Sequence, residues 1–68
     1  MRQEINVNGT IFKVGDLVFI ETMKGESQYN NKSGYITLID DADQIHGTWG
    51  GCALVPDLDK FKKIDNSL

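Results

Sequence analysis

The sequence predicts a small all-β protein, and three observations predict it. Ile36 to Pro56 reads as three short strands, separated by the acidic turn Asp40-Asp41-Ala42-Asp43 and by Gly50-Gly51. Ile5 to Phe12 is arranged about Asn8-Gly9, a pair suited to a type I′ turn, which needs positive φ at both central positions. No stretch carries a long helical period. A chain of 68 residues makes one domain and buries only about 60% of its unfolded surface, so its stability margin is thin.

Residues 1–13 form the N-terminal hairpin. The turn at Asn8-Gly9 pairs Val7 with Thr10 and Ile5 with Phe12, which puts those side chains on one face. Val14-Gly15-Asp16 is the next turn. Leu17 to Thr22 follows, rich in β-branched and aromatic residues and apolar on both faces through Ile20. A strand of that kind is covered on both sides, here by the hairpin or by a partner chain. Met23 to Ser33 is a polar loop with Tyr29 near its middle, and long loops often carry function.

Gly34 to Ile39 is a strand, Asp40 to Asp43 a turn, and Gln44 to Trp49 the next strand. Gly50-Gly51 makes a tight turn into Cys52 to Val55. Pro56-Asp57-Leu58-Asp59 is expected to form one 3-10 turn near the C-terminus. Phe61 and Ile64 then anchor the tail, and residues 65–68 fray. About five antiparallel strands over residues 14–64, with one long loop and a late 3-10 turn, predict a small SH3-like barrel. Closure suits a short chain because it removes sheet edges. Alternation points Val18, Ile20, Ile36, Leu38, Ile45, Gly47, Trp49, Ala53 and Val55 inward. Gly47 stands where the Trp49 ring or another backbone passes close by.

Composition narrows the function. No apolar run approaches the roughly 20 residues of a membrane helix, and the N-terminus lacks the apolar core of a signal peptide. Cys52 is the only cysteine, so no intrachain disulfide forms. Small secreted domains usually depend on such bridges, so a cytoplasmic location is expected. The net charge of -3 and pI of about 4.8 disfavour general nucleic-acid binding. They suit a basic protein surface.

Asp40, Asp41 and Asp43 form the densest charge cluster. A Ca²⁺ loop would close with Glu at its twelfth position, where this chain has Gly51. The remaining readings are a docking patch for Arg or Lys and a solvated, self-capped turn. His46 would need a nucleophile and an orienting group for catalysis, and the candidates, Cys52 and Asp41, lie on other strands or turns. One Cys and one His leave a zinc site unmet. No catalytic, cofactor or metal-binding residue is therefore assigned.

Tyr29, Tyr35 and Trp49 could line an aromatic peptide groove, although alternation puts Trp49 in the core. Lys60, Lys62 and Lys63 surround Phe61, but Asp57, Asp59 and Asp65 surround them in turn. The expectation is a non-enzymatic protein-binding module that uses Tyr29, Lys32, Tyr35, Asp40, Asp41, Asp43 and His46. Its partner would be a protein, such as the basic surface of a nucleic-acid-processing enzyme, and a homodimer is compatible with the two-sided Leu17–Ile20 strand. The alternative is RNA or single-stranded DNA binding.

Val14 to Phe61 also carries a specific pattern. Gly15-Asp16 precedes the first core strand, Met23 opens the loop, and Gly34-Tyr35-Ile36 opens the next strand. Asp40-Asp41-Ala42-Asp43-Gln44-Ile45-His46 follows, then Trp49-Gly50-Gly51, then Ala53-Leu54-Val55-Pro56, with Asp59 and Phe61 closing. The pattern resembles a domain-of-unknown-function family of roughly 70-residue bacterial proteins found in phages, plasmids and conjugative elements. Asp43 stands where that family often has a turn glycine. The resemblance implies a mobile-element accessory protein that binds, and could inhibit, a host or element-encoded protein. A weaker similarity, through Gly15-Asp16 and Gly34-Tyr35-Ile36, links the chain to KOW-type barrels of transcription and translation factors.

Overall fold

The computed structural model describes residues 2–64. The expected fraying of residues 65–68 lies outside the described residues. The strands are β1 (Glu4–Val7), β2 (Thr10–Lys13), β3 (Leu17–Thr22), β4 (Ser33–Ile39), β5 (Ile45–Gly47), β6 (Gly50–Leu54) and β7 (Lys60–Ile64), with a 3-10 turn at Ser27–Tyr29. All pairings are antiparallel. The fold is all-β, as predicted.

The hairpin β1-β2 has the expected register, with Ile5 opposite Phe12 and Val7 opposite Thr10. Its turn residues take φ of 52° at Asn8 and 92° at Gly9, the left-handed values a type I′ turn needs. The other sheet runs β6-β5-β4-β3-β7, a meander whose last strand returns beside its first. That order is the SH3-like arrangement, but the barrel does not close, because no ladder joins β6 to β7.

The hairpin fills the gap. Ile5 and Phe12 are buried with Val18, Ile20, Met23, Ile36, Ile39, Ile45, Trp49 and Leu54 in one core. The Phe12 and Phe61 rings meet with centroids 5.1 Å apart. Backbone hydrogen bonds hook the hairpin in place: Arg2 N–H to the Ile39 carbonyl at 3.1 Å and Gly15 N–H to the Ile36 carbonyl at 2.8 Å. It therefore covers the inner side of the sheet within the same chain and leaves the outer face of β3 uncovered.

Five sequence expectations need correction. Leu38 is only half-buried while Ile39 is fully buried, because the β4–β5 pairing shifts between Ile36 and Leu38 and inverts the alternation. Leu54, rather than Ala53 and Val55, enters the core, because the register sets it opposite the buried Ile45. Gly50-Gly51 begins β6, and the turn falls two residues earlier, at Thr48-Trp49. The 3-10 turn lies at Ser27–Tyr29 in the long loop, not near the C-terminus. Pro56–Leu58 makes a simple turn, closed by the Leu58 N–H on the Val55 carbonyl at 2.9 Å. Beyond that turn the chain forms a full strand, β7, and not a loose anchor.

Candidate functional site

The predicted contact residues fall into groups at the two ends of β4. This strand of seven residues spans about 20 Å. Tyr29 and Lys32 precede its start, Tyr35 lies near that start, and Asp40 to His46 follow its end.

Tyr29 closes the 3-10 turn and packs half-buried against Gly50, where a β-carbon would run into its ring. The Lys32 ammonium sits 5.8 Å from the ring centroid, within cation–π range. Tyr29 thus pins the long loop to β6. The Asn31 N–H on the Ile20 carbonyl (2.7 Å) ties the same loop to β3, and the Met23 N–H on Asn30 Oδ1 (2.8 Å) closes the loop on itself. Beside it, the Cys52 thiol donates to Glu26 Oε1 at 3.1 Å. Glu26, and then burial, push the Cys52 pKa up, against an opposing hydrogen bond from Tyr29.

The acidic turn spends much of its charge on itself. Asp40 Oδ1 accepts the backbone N–H groups of Ala42 (2.9 Å) and Gln44 (3.0 Å). Its Oδ2 lies 2.9 Å from His46 Nε2. The His46 hydrogen bond, then the Gln44 N–H, hold the Asp40 carboxyl below its ordinary value. Asp43 pairs with Arg2 and takes φ of 63°, the left-handed conformation that fits a turn glycine. Asp41 is exposed. Asp40 and Asp43 are therefore partnered inside the chain, as a self-capped turn would be.

Tyr35 is different. It is 49% exposed and stands on the outer face of β4, between the inward Gly34 and Ile36. Leu17 is its cross-strand partner on β3, and Ile64 is the partner of Leu17 on β7. Cross-strand partners share a face, so Tyr35, Leu17 and Ile64 form one apolar row over three strands. Phe19 lies one step along the same face, with the Lys62 ammonium 5.6 Å from its ring centroid. Leu17, Phe19 and Ile64 are half-buried. Sequence reasoning put Phe19 with Tyr35 opposite the predicted core, as a contact surface or as a face beneath the hairpin, and left out Leu17 and Ile64. The signal was the apolar outer alternation of Leu17–Ile20, which reads equally well as a covered strand.

Asp59 is the only buried charged residue among the described residues. Its oxygens accept the N–H groups of Lys24 (2.8 Å) and Val55 (2.7 Å), fastening the long loop to the connection before β7. Among the described residues, no group of three or more His, Cys, Asp or Glu side chains is placed to hold a metal ion. No helix there is long and apolar enough to cross a membrane. Compared with family models, curated proteins and solved structures, the chain matches none.

Proposed function

We propose that the protein is a non-enzymatic protein-binding module whose contact surface is the outer face of β4, β3 and β7. The observation that carries this reading is the apolar row Tyr35–Leu17–Ile64 on a face the hairpin leaves open. Aromatic side chains flanked by half-buried aliphatic ones make good anchors, because contact removes apolar area that is already partly ordered. Lys62 at the edge of the face and the Asp40–Asp43 turn at the far end of β4 act as rim charge, which steers encounter more than it holds a complex. The non-enzymatic reading is supported by the nucleophile and not by the histidine: Asp40 orients His46, but the Cys52 thiol is hydrogen-bonded to Glu26.

The resemblance to mobile-element proteins supports an accessory role in the cytoplasm of a bacterial or infected cell, with a basic surface of a nucleic-acid-processing protein as the partner. Quantitative capture from a lysate of the cell that carries the sequence tests this. Tyr35→Glu, at an exposed position, should lose a protein that wild type and Asp41→Asn both retain. Equal retention by all three baits contradicts it.

One observation favours the second reading, single-stranded nucleic acid. Lys60, Lys62 and Lys63 line one cleft together with Phe61. Binding to a labelled oligonucleotide that weakens steeply with salt would support it.

A further inference from the structure

β7 reads Lys60-Phe61-Lys62-Lys63-Ile64 and, among the described residues, is paired along one edge only, with β3. A cleft of about 530 Å³ separates it from the tip of the hairpin, where Val7 and Thr10 form the opposite wall. Lys60, Phe61, Lys62 and Lys63 all line this cleft. A cleft over a sheet face touches alternate residues, whereas this one touches consecutive residues and so follows the open edge of the strand. Phe12 and Phe61, whose rings are in contact, also line it. The Lys63 ammonium bridges the walls by donating to the Ile11 carbonyl at 2.7 Å.

We propose that this cleft takes an extended peptide with alternating apolar and acidic side chains, added as a further strand to the free edge of β7. The site adjoins the outer face at Lys62 but is built on the free edge of β7, away from Tyr35. An unpaired edge supplies backbone N–H and C=O groups for strand addition, and alternate side chains supply selectivity. Phe61 is paired with the buried Ile20 and Lys62 with the outward Phe19. By the same register Lys63 lies on the side of Phe61, opposite the buried Val18, with its ammonium taken up by the Ile11 carbonyl. An added strand therefore meets Phe61, Phe12 and the Lys63 stem with one set of side chains, and Lys60 and Lys62 with the other. The first set must be apolar and the second acidic.

Other occupants fit less well. Pairing β7 with β7 of a second copy would oppose lysines to lysines, and edge lysines are a known guard against such pairing. Single-stranded nucleic acid needs open ring faces for stacking, but Phe12 is 2% exposed and the half-buried Phe61 ring packs against it. Glu21 and Asp59 also border the cleft. Asp59 is committed to the Lys24 and Val55 N–H groups, which leaves Glu21 at the rim to bias binding toward the Lys60 and Lys62 side.

The test is an NMR titration of the ¹⁵N-labelled full chain with an eight-residue alternating Glu-Val peptide. A Lys-Val peptide and an oligo-thymidylate of the same length serve as comparison probes. The amides of Lys60–Ile64 and of Val7–Thr10 should shift with the Glu-Val peptide and stay in place with the Lys-Val peptide. Lys60→Glu and Lys60→Ala should both weaken the binding, the first at least fivefold, and Tyr35→Glu should leave it unchanged. No shift at those amides, equal affinity for the Lys-Val peptide, or tighter binding of the oligo-thymidylate would overturn the proposal.

Discussion

At Gly47 the space beyond the α-carbon is filled by the Trp49 ring, so a methyl group there collides with it. Trp49 cannot easily yield, because it is buried and its indole N–H donates to the Cys52 carbonyl at 2.8 Å. Gly47→Ala should destabilise the protein by about 1–3 kcal/mol in denaturant unfolding, as overpacking does. This contact was legible in the sequence, since a glycine two residues before an inward tryptophan signals a close approach. The partners of Asp40 were not, because nothing in the sequence says which donors a turn carboxylate selects.

Those partners set an acid limb. Asp40 is held below its ordinary value of 3.8, with His46 the leading cause, so its folded pKa is depressed. The stability it contributes is present above the unfolded value and is lost as pH falls through the folded one. Asp40→Asn should flatten that part of the stability curve in thermal melts across the acid range. Cys52 runs the other way. With its thiol pKa raised by Glu26, it should react slowly with iodoacetamide at mildly alkaline pH, and Glu26→Gln should speed the reaction.

Among the elements, the hairpin is the one whose role needed the structure. Its turn and register follow from Asn8-Gly9. The sequence leaves open whether it covers the inner or the outer side of the sheet. Phe12 decides this by entering the core against Phe61. Phe12→Ala should cost about 3–5 kcal/mol in chemical unfolding, the range for a buried aromatic. A loss near zero would mean that the hairpin is not part of the core.

β7 was hidden for a different reason. In Lys60-Phe61-Lys62-Lys63-Ile64 the apolar residues fall three apart, so the period-two signal of a half-buried strand is absent. The strand exists because β3 offers it a full ladder, from Leu17–Ile64 to Thr22–Lys60. The shift within β4 and the true place of the β5–β6 turn escaped similarly. Bulges come from pairing geometry, and a Gly-Gly pair inside a strand looks like a turn until its neighbour is known.

Across the whole molecule, an open five-stranded sheet is completed by a hairpin on its inner side, and this determines which apolar surface is left over. Had the hairpin lain over Phe19 and Tyr35, the outer face would be core. The contact set expected from sequence mixed residues that the fold separates. Tyr29 and Asp40 stabilise the fold's own loops, while Tyr35 shares one outer face with Leu17, Phe19 and Ile64.

The most direct measurement is the side-by-side capture with wild type, Tyr35→Glu and Asp41→Asn, quantified by mass spectrometry after melting curves have shown the three baits equally folded. The account predicts at least one protein that the first and third baits hold and the Tyr35→Glu bait loses about tenfold or more, the scale of one good anchor. Retention that ignores Tyr35, or that vanishes with Asp41→Asn alone, would contradict it.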